Sequence, residues 1–155
     1  MIIYTDGSCR KNPGPGGFGV VVLDNDEYII EKYSHFEEHT TNNQQELKAI
    51  LYAMIKYGKE KPTPIVYSDS NYCVQTFTNW MYSWARNGWI KSDKKQPENL
   101  DLIQTYFQLE NLGYKIDLRK VKGHAGNKWN EMADGLATGR ISSGFTPSKP
   151  PKEYG

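Results

Sequence analysis

A chain of 155 residues, with 19 Lys and Arg against 18 Asp and Glu and a formal charge of +1 at pH 7, is long enough for one domain with its own apolar core, and its total charge marks no polyanionic partner. Two cysteines, Cys9 and Cys73, exclude a disulfide framework and offer no zinc-type spacing, so both are expected as reduced thiols. No basic region precedes an apolar stretch of signal-peptide length and no apolar run is long enough to cross a bilayer, which predicts a cytoplasmic protein without a membrane partner.

Residues 1–6, 17–23 and 28–36 are rich in Ile, Val, Tyr and Phe and predict three strands in an antiparallel meander, the second and third joined at Asp24-Asn25-Asp26. The intervening GSCRKNPGPGG is too rich in Gly and Pro for regular structure and predicts an exposed loop. Side chains alternate along a strand, so Ile2, Tyr4 and Asp6 share a face that begins apolar and ends in a charge. From Asn43 the period changes to that of an amphipathic helix, with Leu47, Ile50, Leu51, Met54 and Ile55 on one side and Gly58 ending it.

A short strand, Ile65-Val66-Tyr67, runs into Ser68-Asp69-Ser70 and a second helix carrying Val74, Phe77, Trp80, Met81 and Trp84 on one face. Residues 85–98 predict a basic irregular segment, 99–112 a third helix, and Ile116, Leu118 and Val121 a last strand. After KGHAGN comes a helix striped by Trp129, Met132, Ala133, Leu136 and Ala137. The end, SSGFTPSKPPKEYG, has few apolar groups and is expected to lack fixed structure, which places one domain at 1–140 and a disordered tail at 141–155. The order βββαβα(α)αβα is that of an α/β fold: a mixed five-stranded sheet, an antiparallel meander extended by parallel strands, flanked by helices.

Charge is unevenly spread. Residues 24–38 hold six acids against Lys32, whereas 78–96 and 114–128 are basic, an asymmetry that fits either nucleic-acid contact or solvated loops of opposite sign.

Four acids stand apart from these surface runs. Asp6 ends the first strand, Glu46 lies one turn before Ile50, Asp69 lies at the end of a strand reached by a crossover, and Asp134 lies beside Ala133 in the last helix. Taken singly, Glu46 fits a capping box with Asn43, Asp69 a helix cap and Asp134 a helix-surface acid. Brought together, four carboxylates repel one another unless a divalent cation joins them, and an all-oxygen ligand set suits Mg²⁺ or Mn²⁺ rather than zinc. That chemistry points to phosphoryl transfer.

The segments YTDGSCRKNPGPGGFG, TTNNQQELKA, YSDSNY, NWMYSWARNGW, DKK and KGHAGNKWNEMADGLA follow the order and spacing of type 1 ribonuclease H, the bacterial-type ribonuclease HI family, and the resemblance runs from about residue 1 to 139. It implies a ribonuclease H-like fold and an endonuclease that hydrolyses the RNA strand of RNA–DNA hybrids to 3′-hydroxyl and 5′-phosphate ends. It implies that Asp6, Glu46, Asp69 and Asp134 hold two Mg²⁺ ions, with Mn²⁺ as a substitute, and that His124 is the flexible-loop histidine, acting in proton transfer or product release. A ligand on a rigid sheet, as Asp6 is, can bridge two ions.

The same resemblance assigns Thr41 and Asn99 to a pocket for a DNA phosphate, Asn12 to the minor groove, and Cys9, Asn42 and Asn71 to the surrounding binding surface. Short polar side chains near Asp6 and Glu46 suit the sensing of a 2′-hydroxyl. Lys91, Lys94 and Lys95 belong to a basic handle expected to grip phosphates. Trp80 is a candidate for stacking on bases, with Trp84 and Trp89, although helical spacing with Phe77 and Met81 favours packing inside the protrusion. The chain departs from the family in Ser68 of SDS, in Arg10-Lys11 and in Trp129, none of which is a metal ligand. An N-terminal hybrid-binding module is not expected before Asp6, and the protein is expected to act as a monomer. Two rivals remain: a non-catalytic hybrid binder, which four retained acids argue against, and a resolvase or integrase of the same fold, which the basic protrusion and KGHAG argue against.

Overall fold

Strand β1 (Ile2–Cys9) is the strand on which the two halves of the sheet meet. Here and below the protein is described from a computed structural model that covers residues 1–121, 127–142 and 144–145. On one side β1 pairs antiparallel with β2 (Gly14–Leu23), which pairs antiparallel with β3 (Ile29–Thr40). On the other side it pairs parallel with β4 (Ile65–Ser68), and β4 with β5 (Asp117–Lys120). These are the five strands the sequence predicts, in the order β5-β4-β1-β2-β3, and a two-residue strand β6 (Gly144–Phe145) lengthens the edge beside β3.

The meander is longer than its composition predicts. Gly7, Ser8 and Cys9 pair with Phe18, Gly17 and Gly16, so the expected loop shrinks to residues 10–13. Neighbouring strands override the low strand preference of glycine by completing the backbone hydrogen bonds.

Helix α1 (Asn42–Tyr57) starts where Thr41 Oγ1 accepts the Gln44 amide at 3.1 Å, so Thr41 and not Asn43 is the cap. It ends where the Gly58 amide donates to the Met54 carbonyl at 2.8 Å. Leu47, Ile50, Leu51 and Met54 are buried as predicted, but Ile55 lies on the edge of the stripe and is 55 % exposed. Next comes a helical run of α2 (Asn71–Gln75), a π turn (Thr76–Trp80) and α3 (Met81–Arg86). The wider turn shifts the phase of the stripe: Phe77 and Met81 stay in the core while Trp80 turns outward to 38 % exposure. Helix α4 (Leu100–Asn111) packs Ile103 and Tyr106 inward, the Tyr106 ring stacked on Phe77 at 4.1 Å.

The sheet is covered on both faces. Ile3, Val20 and Val22 meet Leu47, Ile50 and Met54 of α1 on one, while Val21 and Leu23 meet Trp129, Ala133 and Leu136 of α5 (Lys128–Thr138) on the other. Each such fully buried aliphatic side chain contributes roughly 1.5–3 kcal/mol. One charge is buried within the first layer. Glu31 accepts hydrogen bonds from Tyr52 Oη at 2.6 Å, Tyr57 Oη at 2.5 Å and Lys56 Nζ at 2.8 Å, which tie β3 to the last turn of α1.

Two ordered features lie beyond the boundary expected at residue 140. Ile141 packs on the Val21–Leu136 cluster, and β6 pairs Gly144 and Phe145 with Lys32 and Glu31. No helix of the described residues is long and apolar enough to cross a membrane.

Candidate active site

β1 and β4 run together only over Ile2–Tyr4 and Ile65–Tyr67, with Thr5 Oγ1 donating to the Tyr67 carbonyl at 2.9 Å just past the last pair. Beyond that point β1 continues along β2, while the chain leaves β4 at Ser68 and turns into α2. The edge of β1 is thereby opened at Asp6 and Gly7, at the carboxyl ends of a parallel pair, where α/β sheets collect ligands. The freed Gly7 amide donates to Glu46 Oε1 at 2.7 Å, bringing the first turns of α1 to the cleft. Ser70, whose Oγ accepts the Cys73 amide at 3.2 Å, caps α2 and leaves Asp69 to face the same opening.

Oxygens of Asp6, Glu46 and Asp69 lie within 4.8 Å of one another. Asp6 is 7 % exposed, and the other two are partly buried. Burial, and after it the charges of Glu46, Asp69 and Asp134, push the Asp6 carboxyl up to about 9. Burial and the charge of Asp69 likewise push Glu46 up to about 8, against the opposing pull of the Gly7 amide. Asp134 on α5 is near enough to help raise the Asp6 carboxyl, and its Oδ2 accepts from Arg140 Nη2. Three carboxylates this close are a poor arrangement for a site of protons alone. They fit a hard divalent cation, which would keep all three ionised.

Residues 1–142 match the RNase H family. The chain belongs to that family. Among its relatives, the ribonuclease H of Acetivibrio thermocellus is 43 % identical over 140 residues, covering 90 % of this chain and 92 % of the relative. The ribonuclease H of Thermoanaerobacter sp. (strain X514) is 41 % identical over 141 residues, covering 90 % and 88 %. Among solved structures, LC9-RNase H1, described as a type 1 RNase H with the type 2 active-site motif, superimposes with a TM-score of 0.72 at 31 % identity over 92 % of this chain and 73 % of its own. LC11-RNase H1, solved in complex with an RNA/DNA hybrid, gives a TM-score of 0.65 at 27 % identity over 89 % and 94 %. This RNase H is therefore a hydrolase with the ribonuclease H fold.

The remaining candidate residues of this RNase H fall into three groups. Near the acids, the Asn42 amide donates to Asn12 Oδ1 at 3.0 Å, joining the β1–β2 turn to the start of α1. Cys9 Sγ lies 3.2, 3.5 and 3.4 Å from the carbonyl oxygens of Lys11, Gly14 and Thr40, which holds the same turn closed. Thr41 spends its hydroxyl lone pair on the helix cap. Across α2, Asn71 is exposed and Asn99 Nδ2 donates to Tyr72 Oη at 3.2 Å, with Asn99 itself in the left-handed region at φ 58°. In the protrusion, Lys94 and Lys95 are exposed, Lys91 Nζ sits 3.8 Å from Asp93, and the turn is closed by the Lys91 amide on the Lys95 carbonyl at 2.9 Å. Trp84 and Trp89 pack on the core, Trp89 edge-on to Phe107 at 5.2 Å, which leaves Trp80 as the exposed indole of the three. His124 lies outside the described residues.

Sequence reasoning missed Gly7, Tyr72 and Arg140. Gly7 and Tyr72 act through a backbone amide and a hydroxyl whose partners are remote in sequence, and no local pattern announces either. For Arg140 the helix-ending Gly139 just before it was the available signal.

Proposed function

We propose that this hydrolase cuts the RNA strand of RNA–DNA hybrids at the cleft between β1 and β4, leaving 3′-hydroxyl and 5′-phosphate ends, with Asp6, Glu46, Asp69 and Asp134 holding two Mg²⁺ ions that Mn²⁺ can replace. The observation that carries the reading is the convergence of Asp6, Glu46 and Asp69 from three elements onto one opened strand edge. When bound, such an ion pair activates the attacking water and stabilises the departing 3′-oxygen. The chain's own groups do the placing. Asp6 offers a carboxylate on a strand paired on both sides, and the Gly7 amide holds Glu46 Oε1. His124 moves a proton or speeds product release, Thr41 and Asn99 receive a phosphate of the DNA strand, Asn12 enters the minor groove, and Cys9, Asn42 and Asn71 complete the binding surface. Lys91, Lys94 and Lys95 bind phosphates at a distance, and Trp80 offers a face to the strand. The protein works as a monomer in the cytoplasm.

Labelled RNA–DNA hybrid, duplex DNA and a four-way junction, each incubated with the protein in Mg²⁺ and in chelator, test this directly. Cleavage confined to the RNA of the hybrid and abolished by chelator is expected. Binding without cleavage, or junction cutting, would replace this function with one of its two rivals.

A further inference from the structure

We infer that Arg140 is a built-in counter-cation of the acid cluster, occupying Asp134 until a divalent ion takes that carboxylate, and so setting how much cation the enzyme needs. The inference rests on the metal assignment above. It begins from an asymmetry among the four acids: in the described residues Asp134 alone has an ion-pair partner, and that partner is Arg140. Arg140 Nη2 donates to Asp134 Oδ2 while the same carboxyl group is near enough to act on Asp6, so one side chain stands between the cluster and a fixed positive charge.

The arginine is placed by the fold. Gly139, at φ 82°, reverses the chain at the end of α5. The Ile141 amide then donates to the Gly135 carbonyl at 3.0 Å, and the Ile141 side chain lies so close over Gly135 that a Cβ there would fall 2.5 Å from Ile141 Cδ1. Gly135, the residue following Asp134, thus leaves room for the Ile141 side chain of the returning chain. Within this turn Arg140 Nε donates to Thr138 Oγ1 at 3.1 Å, and that hydroxyl donates to the Asp134 carbonyl at 3.0 Å. Both ends of the guanidinium are therefore directed onto the Asp134 turn of the helix.

A cation that uses Asp134 must share or displace this partner, and by linkage whatever Arg140 gains from Asp134 is subtracted from cation affinity. The side chains of Arg140 and Asp134 are 65 % and 47 % exposed, so the pair is partly screened. An exposed pair of this kind shifts an equilibrium by at most about 5-fold. That is enough to move the cation requirement and too little to prevent binding.

The test is calorimetric titration of Mn²⁺ into the substrate-free protein, for wild type, Arg140→Gln and Arg140→Lys, with thermal melts of each in chelator to verify folding. At about 50 mM KCl the Mn²⁺ Kd of Arg140→Gln should fall roughly 2- to 5-fold, with Arg140→Lys between it and wild type, and the gap should close at about 1 M KCl as the pair is screened. On an Asp134→Asn background, Arg140→Gln should leave the Kd unchanged. A Kd that stays the same or rises in folded Arg140→Gln overturns the inference, the latter because Arg140 would then be orienting Asp134 for the ion. A wild type that binds no Mn²⁺ overturns the metal assignment itself, a separate failure.

Discussion

The backbone amide of Gly7 and the carboxylate of Glu46 meet at 2.7 Å, and a Cβ placed on Gly7 would lie 2.3 Å from the amide nitrogen of Glu46. Strand β1 and helix α1 therefore touch main chain to main chain one residue beyond Asp6. No side chain intervenes, so the spacing of the first two acids is set by backbone contact.

Gly7→Ala should push α1 away from β1 and with it Glu46 away from Asp6. Overpacking of this kind costs about 1–3 kcal/mol, and each kcal/mol lowers Tm by roughly 2–4 °C in a chain of this size. Cation affinity should fall in parallel. A melt and a Mn²⁺ titration matching wild type would show that the contact relaxes without consequence.

Asp6→Asn should leave the fold intact and reduce hybrid cleavage by several orders of magnitude, since it removes the most buried of the clustered carboxylates. Its effect on metal-free stability has the opposite sign. A folded Asp6 carboxyl pushed up to about 9 stabilises nothing beyond its unfolded value at low pH, and it costs stability progressively as pH rises toward that value. In chelator, Asp6→Asn and wild type should therefore melt alike near pH 4 and the variant should melt higher at about pH 8. Near-native turnover in Mg²⁺ would remove Asp6 from the site.

Glu31→Gln probes the buried charge that joins β3 to α1. Burial alone would raise the Glu31 carboxyl, but hydrogen bonds from Lys56, Tyr52 and Tyr57 outweigh it and hold the group below its ordinary range. The stabilisation is therefore present above the unfolded pKa and lost as pH falls through the depressed folded one. At neutral pH the variant should lose about 1–3 kcal/mol, a gap that narrows as the buffer is taken down to about pH 3. A constant difference across that range would mean the network contributes packing and no charge.

Ending the chain after Arg140 should lower Tm by several degrees, because it deletes Ile141 from the Val21–Leu136 cluster and unlocks the turn over Gly135. A chain ending after Ser142 should recover most of the loss. Equal melts for the two would place the end of the domain at residue 140.

Lys94→Ala with Lys95→Ala should raise KM with little change in kcat, since contacts far from the acids bind ground state and transition state alike. The slope of log affinity against log salt should flatten by up to about 1.8, taking roughly 0.9 for each lost phosphate contact, a duplex-DNA value applied to the hybrid. Adding Lys91→Ala should contribute less than either, because Lys91 is already shared with Asp93 at 3.8 Å. An unchanged slope would make the handle a solvated loop.

Much of this was legible in the sequence where one periodicity dominated. The α1 stripe from Leu47 to Met54 is buried, Asp6 lies on β1 and Asp69 follows the end of β4, as spacing and motif predict. The misreadings have distinct physical origins. Glycines at 16 and 17 signal a loop locally, yet pair in a strand because partners on both sides supply what their propensity lacks. Trp80 leaves the stripe because a π turn inserts a phase shift that no 3.6-residue template contains. The sequence places Ile141 in the tail because a single apolar residue has no period, although the turn at Gly139 returns it to the core.

The divergence of β1 and β4 has a bearing on biosynthesis. Its four acids sit on the first strand, the first helix, the end of the fourth strand and the last helix, so every layer of the domain must be docked before they share one cleft. A nascent chain still tethered to the ribosome short of α5 would lack Asp134 and would leave Val21 and Leu23 without Trp129, Ala133 and Leu136 to cover them. The fourth acid thus arrives last in synthesis, together with the closing of the second core, so an unfinished copy lacks Asp134 and the cover over Val21 and Leu23 at once.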